Sequence, residues 1–260
     1  MPDPQPPESQ PDVSYRDRLL ADFRRDGYIV IPGVFDPDRI AILHEALRRD
    51  YPGHMGVGEL DDFVDVGDRR IFAPVRFAAP FDCADIAAQP LLTGLLAAIL
   101  GHDFVFEAMG VITSRPGAAD QHIHRDGGLL FPEIALDRVL PPSAVTVMTP
   151  LVDMDEVSGR TAFWPGSHRS TATDVDSEGA APSIPVGALA LWDYRVLHRG
   201  CANRGEVPRP LLYFVACRPH WIDHRNFAPG RNAKLLASRD ALDALDADTR
   251  ARFVRAEVAG

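Results

Sequence analysis

The amino-acid sequence predicts a mainly β protein, an antiparallel sandwich or barrel with helices at both ends. Between residues 103 and 219 the chain consists of short apolar runs separated by turn residues, with no long helical pattern between most of them. Helical periodicity precedes this region and returns after residue 239. The length of 260 residues suits one large domain, and 46% hydrophobic with 25% charged residues is an ordinary globular composition.

The N-terminal part predicts a helical layer over residues 13–102 that follows a disordered tail. The tail, residues 1–12, holds five prolines and otherwise polar residues. The helices are indicated by capping residues, by the helical spacing of apolar residues and by a terminating glycine. One strand is indicated by a β-branched run that ends in Pro-Gly. The predicted elements are a helix from Ser14 to about 25, a strand over 27–35, a helix from Asp36 to about 49, and a helix over about 90–100 that ends at Gly101.

The following residues, about 103–221, predict the β core of a single domain that extends over residues 13–260. A polar stretch over 169–183 predicts a surface loop, and the C-terminal segment 239–256 is helical in pattern. The predicted strands of the core lie within 103–117, 121–127, 144–154, 161–165, 187–194 and 210–219.

The net charge, the start of the chain and the longest apolar stretch argue against several classes of partner and location. Lys and Arg number 27 against 37 Asp and Glu, so the formal net charge is −10, which disfavours nucleic acid and anionic membrane surfaces. The start of the chain has no pattern of a signal peptide, and the longest apolar stretch, 91–100, is too short to span a bilayer. Three cysteines without a metal-binding spacing predict free thiols in a reducing compartment. We therefore expect a cytoplasmic protein that binds a small molecule, with a homodimer left open.

The densest cluster of ligand-type side chains is the segment from Gln121 to Asp126. On a strand, residues two apart share a face, so His124 and Asp126 can present an imidazole and a carboxylate to one point, as can His122 and His124. This pattern alone is weak. A solvated surface turn at Asp126-Gly127 explains it equally well.

A second histidine strengthens the metal interpretation. His198 follows an apolar run of the kind that forms a buried strand. In isolation it is more simply read as a core histidine with satisfied hydrogen bonds. Together with His124 and Asp126 it completes two histidines and one carboxylate, a set that binds one face of a metal and leaves the other face open, as in non-haem Fe(II) oxygenases.

An arginine near the second histidine indicates a co-substrate. Arg209 follows His198 by eleven residues, and a hairpin between two strands would bring them side by side. A guanidinium offers a planar fork to a carboxylate, so a small dicarboxylate such as 2-oxoglutarate would chelate the metal with one end and reach Arg209 with the other. A surface arginine at the start of a strand is the simpler alternative.

Three motifs resemble those of the phytanoyl-CoA dioxygenase superfamily of Fe(II)/2-oxoglutarate oxygenases. They are HRDG (124–127), SGRTAFWPGSHR (158–169) and DYRVLHRGCANRGEVPRP (193–210), and the ordered resemblance covers about residues 104–221. The branch that oxidises natural products is the most similar. The resemblance implies a distorted double-stranded β-helix, a jelly-roll or cupin-like barrel. It also implies that Fe(II), 2-oxoglutarate and O2 are used to oxidise, in the simplest case hydroxylate, a small natural-product intermediate, with succinate and CO2 as by-products.

The resemblance assigns roles residue by residue. It implies iron ligands and contacts to 2-oxoglutarate, while His122 departs from the residue often found at its position and His168 has a structural place in the PGSHR turn. The implied iron ligands are His124, Asp126 and His198, and the implied contacts to 2-oxoglutarate are Arg209 at the distal carboxylate, with Gln121 and Thr161.

Two other functions compete with this interpretation. A zinc hydrolase or isomerase on the same scaffold would use the same ligands, since zinc also accepts two histidines and a carboxylate. Arg209 argues against this alternative, because hydrolysis or isomerisation needs no dicarboxylate anchor. A non-catalytic metal-binding sensor module would be favoured if a member of the predicted ligand set were missing, and none is missing. Within the family, halogenating members replace the carboxylate ligand by a small residue, so the presence of Asp126 favours hydroxylation or another oxidation.

Overall fold

The computed structural model describes residues 13–56, 64–134, 136–172, 175, 177–224, 226 and 234–258. The predicted tail over 1–12 lies outside the described residues. Eleven strands are present in this part of the chain, most of them antiparallel. They are β1 (Tyr28–Ile31), β2 (Val64–Gly67), β3 (Arg70–Ala73), β4 (Val105–Ser114), β5 (Ala144–Pro150), β6 (Thr161–Phe163), β7 (Leu189–Asp193), β8 (His198–Gly200), β9 (Arg209–Cys217), β10 (Leu236–Ala237) and β11 (Glu257–Val258).

Seven of these strands form one large antiparallel sheet. Its order is β1-β7-β5-β9-β4-β3-β2, so strands distant in sequence are neighbours. The central strands β4, β5 and β9 are buried over almost their whole length, which explains why they read as near-continuous apolar runs. The predicted class, mainly β with flanking helices, is confirmed.

A smaller antiparallel sheet, here the minor sheet, consists of β6 and β8 with one further segment on each side. An isolated bridge joins His124 to His198 in β8, and another joins Phe163 in β6 to Ala180. The cavity described below is lined by residues of both sheets.

The helices pack mainly against the large sheet. Two capping residues act as predicted: the Asp36 side chain accepts a hydrogen bond from the amide of Asp38, and Gly101, with φ 105°, donates its amide to Ala97. Ser14 does not cap the first helix, because that helix already begins at Val13. The helices are α1 (Val13–Asp26), α2 (Pro37–Asp50), α3 (Ala84–Ala87), α4 (Pro90–Leu100), α5 (Arg239–Asp243) and α6 (Ala247–Arg252). Buried apolar residues of α2 and α4 belong to the same core cluster as residues of β1, β4, β5 and β7. No helix in the described part of the chain has the length and apolarity needed to cross a bilayer.

The structure corrects four of the predicted elements. The N-terminal layer is not only helical, since β1, β2 and β3 all join the large sheet. Segment 121–127 contributes one bridge rather than a strand. The helix predicted over 239–256 is two short helices, because the Asp246 side chain accepts from the Thr249 amide and begins a second one. His198 and Arg209 do not share a hairpin: β8 pairs with β6, whereas β9 pairs with β4 and β5.

Candidate active site

A cavity of about 520 Å³ is lined by residues of both sheets, within the range of roughly 300–1,000 Å³ typical of small-molecule sites. All six side chains predicted to form the site lie in its wall, together with others that the sequence did not single out. The lining residues are Asp65, Val66, Arg70, Phe72, Ile112, Gln121, His122, His124, Arg125, Asp126, Thr161, Trp192, His198, Gly200, Arg209, Leu211, Tyr213 and Asn226.

His124, Asp126 and His198, here the metal triad, converge on one point. One ligand atom from each lies within 4.8 Å of the other two. The backbone brings the histidines together, since the His124 amide donates to the His198 carbonyl at 3.0 Å and the reverse bond measures 2.9 Å. Asp126 lies two residues beyond His124 and faces the same way, so the predicted sharing of one face holds although the segment is not a strand.

The backbone also orients both imidazole rings. Nδ1 of His124 lies 2.9 Å from the His122 carbonyl oxygen, and Nδ1 of His198 lies 3.1 Å from the Val196 carbonyl oxygen. A carbonyl only accepts, so each Nδ1 carries a proton, and in a neutral ring the lone pair is therefore on Nε2. Metal-binding histidines are held in this way. The donor set therefore fits a divalent transition metal such as Fe(II).

Asp126 is fixed by donors behind it. Its Oδ2 accepts hydrogen bonds from Thr146 Oγ1 and Trp192 Nε1, both at 2.7 Å. Its Oδ1 lies 3.4 Å from Nε2 of His198. The Asn226 side chain donates to the Asp126 backbone carbonyl at 2.9 Å. One carboxylate oxygen thus faces the histidines and the other faces the protein.

The ionisation of the triad suits a metal site. Burial opposes the ionisation of Asp126, but attraction by His198, a hydrogen bond from it and a smaller effect of His124 hold the pKa of Asp126 well below its usual range. Burial and then the neighbouring His198 lower the pKa of His124. Burial also acts to lower the pKa of His198, but the Asp126 carboxylate raises it overall. At neutral pH the carboxylate is therefore charged and His124 is neutral, the states that ligands require, and a metal bound at the triad would displace any proton on Nε2 of His198.

Two buried arginines occupy one end of the cavity. Arg70, Ser114 and Arg209 lie side by side in register on β3, β4 and β9, and each arginine is only 2% exposed. Arg70 donates to the carbonyls of Ala119, Gly200 and Cys201, which hold it in place.

Several donors at this end have no partner among the described residues. They are Nε and Nη1 of Arg209, Nε of Arg70 and the Ser114 hydroxyl. Burial, and then the like charge of Arg70, lower the pKa of Arg209 to about 9. Buried guanidinium donors without acceptors are costly, so this end of the cavity is built for an anion, and a carboxylate fits the fork of Arg209.

Gln121 and Thr161 line the wall between the metal triad and the arginines. The Gln121 amide bridges two segments, since its Oε1 accepts from the Gly200 amide and its Nε2 donates to the Val66 carbonyl, both at 2.9 Å. One Nε2 hydrogen remains for a ligand. Thr161 is 6% exposed and pairs with Gly200 across β6 and β8.

The remaining wall is largely apolar. Phe72, Ile112 and Leu211 lie in register one step along the strands from the two arginines, and Tyr213 follows on β9. His122 is exposed and lines the cavity beside His124, with ring centroids 5.1 Å apart.

The PGSHR turn is structural, as predicted. The Ser167 hydroxyl accepts from the Leu197 amide at 2.8 Å and so supports the strand that carries His198. His168 is buried beside Arg195 and Asp193 in a different cavity. Cys83, Cys201 and Cys217 are free, as expected.

Sequence reasoning missed Arg70, Ser114 and Thr146, and it did not predict the contact of Trp192 with Asp126. The run Arg70-Ile71-Phe72 after the Gly67-Asp68 turn is compatible with a strand. No neighbouring residue in the sequence, however, indicates that the Arg70 side chain is buried. Thr146 and Trp192 lie in predicted strands, and their contact with Asp126 depends on the pairing of β5 with β7.

Comparison with known proteins gives consistent matches. A sequence model of the phytanoyl-CoA dioxygenase (PhyH) family matches residues 23–211. The Fe(II)/2-oxoglutarate-dependent dioxygenase nvfF of Aspergillus novofumigatus is 26% identical over 227 residues, which are 80% of this chain and 73% of that protein.

Solved structures agree in fold. HygX from Streptomyces hygroscopicus, solved with nickel and 2-oxoglutarate, aligns with a TM-score of 0.63 at 17% identity and covers 84% of this chain and 94% of that one. The epimerase SnoN, solved with Fe3+, alpha ketoglutarate and nogalamycin RO, aligns with a TM-score of 0.60 at 22% identity, covering 85% and 93%. At these identities the likeness shows the fold alone, and it confirms the predicted jelly roll.

Proposed function

The chain belongs to the phytanoyl-CoA dioxygenase family, and from that premise we propose that its metal triad binds Fe(II) and its arginines anchor 2-oxoglutarate. The protein is an Fe(II)/2-oxoglutarate-dependent dioxygenase that oxidises a small molecule. The observation that carries the proposal is that one cavity holds two features. The ligand atoms of the metal triad converge on one point, and buried guanidinium nitrogens of Arg70 and Arg209 have no hydrogen-bond partner among the described residues.

His124 and His198 would bind the iron through Nε2, and Asp126 through Oδ1. Their orientation is supported by the carbonyls behind each Nδ1 and by the donors on Oδ2 of Asp126. When bound, iron supplies the activation of dioxygen that couples oxidation of 2-oxoglutarate to succinate and CO2 with oxidation of the substrate. The protein's own part is to position both reactants and to hold the ligands still.

Arg209 would receive the distal carboxylate of 2-oxoglutarate through its guanidinium group, in which Nε and Nη1 have no partner among the described residues. Arg70 Nε and the Ser114 hydroxyl add donors from the neighbouring strands. The bound carboxylate supplies the negative charge that this end of the cavity lacks. Gln121 and Thr161 then flank the molecule between its two ends, as the resemblance implied.

The substrate would occupy the apolar wall formed by Phe72, Ile112, Leu211 and Tyr213. These side chains suit a molecule with apolar surface, and a natural-product intermediate fits this description. The neighbour SnoN is described as an epimerase from nogalamycin biosynthesis, which supports the same class of substrate. Hydroxylation is the simplest outcome for an enzyme that keeps its carboxylate ligand. The expectations of one domain over residues 13–260, a cytoplasmic location and a homodimer stay predictions.

The rival hydrolase and sensor functions leave the arginine end of the cavity unexplained. Hydrolysis at a metal needs no second anion site, and a sensor needs no open coordination face. The decisive experiment is anaerobic loading with Fe(II) and 2-oxoglutarate, followed by addition of air and measurement of succinate. We expect a weak visible charge-transfer band before air and succinate after it. Metal binding without either signal would favour a rival.

A further inference from the structure

We propose that Trp192 and Thr146 are positioning residues that force Asp126 to bind the metal through one oxygen only. The inference rests on the metal site proposed above and adds a specific task for two side chains outside it. The task is to occupy Oδ2 of Asp126, so that Oδ1 alone is available.

Strand pairing builds this arrangement. Thr146 on β5 and Trp192 on β7 are directly opposite partners in the large sheet. Residues paired in this way project from the same face, so their donors converge on one acceptor. That acceptor is Oδ2 of Asp126, which lies 2.7 Å from both the Thr146 hydroxyl and the indole nitrogen of Trp192.

Counting lone pairs shows why this blocks one oxygen. Each carboxylate oxygen offers about two acceptor directions. The indole and hydroxyl hydrogens use both directions on Oδ2. Oδ1 faces Nε2 of His198, itself a member of the metal triad, at 3.4 Å, and no other side chain among the described residues donates to Oδ1. Oδ1 is therefore the one oxygen of the Asp126 carboxylate that is available to a metal ion.

The two donors are themselves immobile. Thr146 is fully buried and Trp192 is 5% exposed. The indole ring lies against the rings of Phe163 and His198, with centroids 5.6 Å and 5.4 Å apart. Because these bonds are charge-assisted and shielded from water, they resist rotation of the carboxylate.

One-oxygen binding matters for the reaction. A facial triad works because its open positions accept the co-substrate and dioxygen together. A carboxylate that turned and bound through both oxygens would occupy one of those positions. Trp192 and Thr146 thus keep a coordination position free without touching the metal.

The test uses metal-free full-length protein titrated with Mn(II), which reports bound water through water-proton relaxation. Trp192→Phe and Thr146→Val each remove one donor, and the double variant removes both. We expect about 10- to 100-fold weaker metal binding in each single variant. In the double variant we expect one fewer metal-bound water, since the freed Oδ2 replaces it.

Matched controls separate this role from general packing. Trp164→Phe removes an indole donor that bonds to the Ser177 carbonyl, away from the metal triad. Thr149→Val removes a buried hydroxyl on the same strand as Thr146, one with no partner in the described residues. Both controls should bind metal as the wild type does. Thr146→Ser keeps the hydroxyl and should restore affinity.

The outcomes are distinct. A folded double variant with wild-type affinity and wild-type bound water would overturn the inference. If Trp192→Phe fails to fold, Thr146→Val, which preserves side-chain shape, decides the question alone by its affinity compared with Thr146→Ser. A wild-type protein that binds no metal would instead contradict the proposed function.

Discussion

Arg70 and Arg209 flank Ser114 in one register of three neighbouring strands and present two buried guanidinium groups to the same end of the cavity. Like charges at this spacing repel, which contributes to the lowered pKa of Arg209. Buried charges without partners are costly, so an anion between the two groups would stabilise the pair. The pair therefore supports the proposal that a carboxylate of 2-oxoglutarate binds at this end of the cavity.

The first prediction concerns the Arg209 anchor. Arg209→Ala should weaken 2-oxoglutarate binding on the order of 30- to several-thousand-fold, about 2–5 kcal/mol, because a desolvated charge pair is lost. Arg209→Lys should rescue only part of this, since an ammonium cannot form the two-pronged contact. Titration of the Fe(II) protein with 2-oxoglutarate under anaerobic conditions measures the effect through the charge-transfer band.

Metal affinity and a surface arginine provide the controls for that experiment. Fe(II) binding should stay nearly unchanged in Arg209→Ala, and Arg204→Ala, which alters an exposed arginine in the preceding loop, should bind 2-oxoglutarate normally. A shorter 2-oxoacid without the distal carboxylate should lose its disadvantage in Arg209→Ala. Unchanged 2-oxoglutarate affinity in that variant would place the anchor elsewhere, with Arg70 the first residue to examine.

The second prediction concerns the metal triad. His124→Ala, Asp126→Ala and His198→Ala should each abolish the charge-transfer band and succinate formation, because each removes one of the ligands. His168→Ala, a buried histidine outside the site, is the matched control and should retain the band if the variant folds. Full turnover by His198→Ala without added imidazole would refute the assignment.

The third prediction concerns halide. Because Asp126 keeps its carboxylate at the metal, held by Thr146 and Trp192, chloride has no vacant ligand position of its own. The product of the wild-type enzyme at ordinary chloride concentration should be hydroxylated or otherwise oxidised, with no chlorine incorporated. Mass spectrometry checks this through the isotope pattern of chlorine, and a chlorinated product would mean that the role of Asp126 is misread.

The fourth prediction concerns Gly110 on β4. A Cβ at this position would lie 2.5 Å from the Ala73 carbonyl oxygen and closer still to the ring of Phe72, in the cavity wall. Gly110→Ala should therefore lower the free energy of unfolding by about 1–3 kcal/mol. Denaturation in urea measures this change.

Gly94 offers the matched comparison for that substitution. It lies inside α4, and a Cβ there would meet Arg16 at an ordinary 3.7 Å. Gly94→Ala should raise the free energy of unfolding by about 0.5–1 kcal/mol, since alanine favours the helix. Equal effects of the two substitutions would show that the close contact at Gly110 relaxes freely.

Structural features that depend on residues close together in the sequence were predictable. The Asp36 cap and the Gly101 helix end depend on bonds within a few residues, and both occur as expected. The shared orientation of His124 and Asp126 follows from their spacing alone. The metal triad was predicted as a set because two histidines and one carboxylate together form a common ligand set for divalent metals.

Features with long-range causes were not predictable in this way. Arg70 belongs to the site only because β3 pairs with β4, and no residue near it reveals that pairing. The expected hairpin between His198 and Arg209 was wrong because each strand finds a partner distant in sequence. The two residues still line one cavity, through the large and minor sheets rather than through a turn.

The isolated bridge between His124 and His198 has a consequence for the strength of the minor sheet. The two residues exchange a pair of backbone hydrogen bonds, and on either side of them the Gln121 and Gly127 amides add single bonds to the Gly200 and Tyr194 carbonyls. An ion held by both imidazoles acts as a reversible cross-link between distant segments, and closing such a loop reduces the entropy of the opened chain. Iron bound at the proposed site would therefore reduce how often these two amides open to solvent exchange.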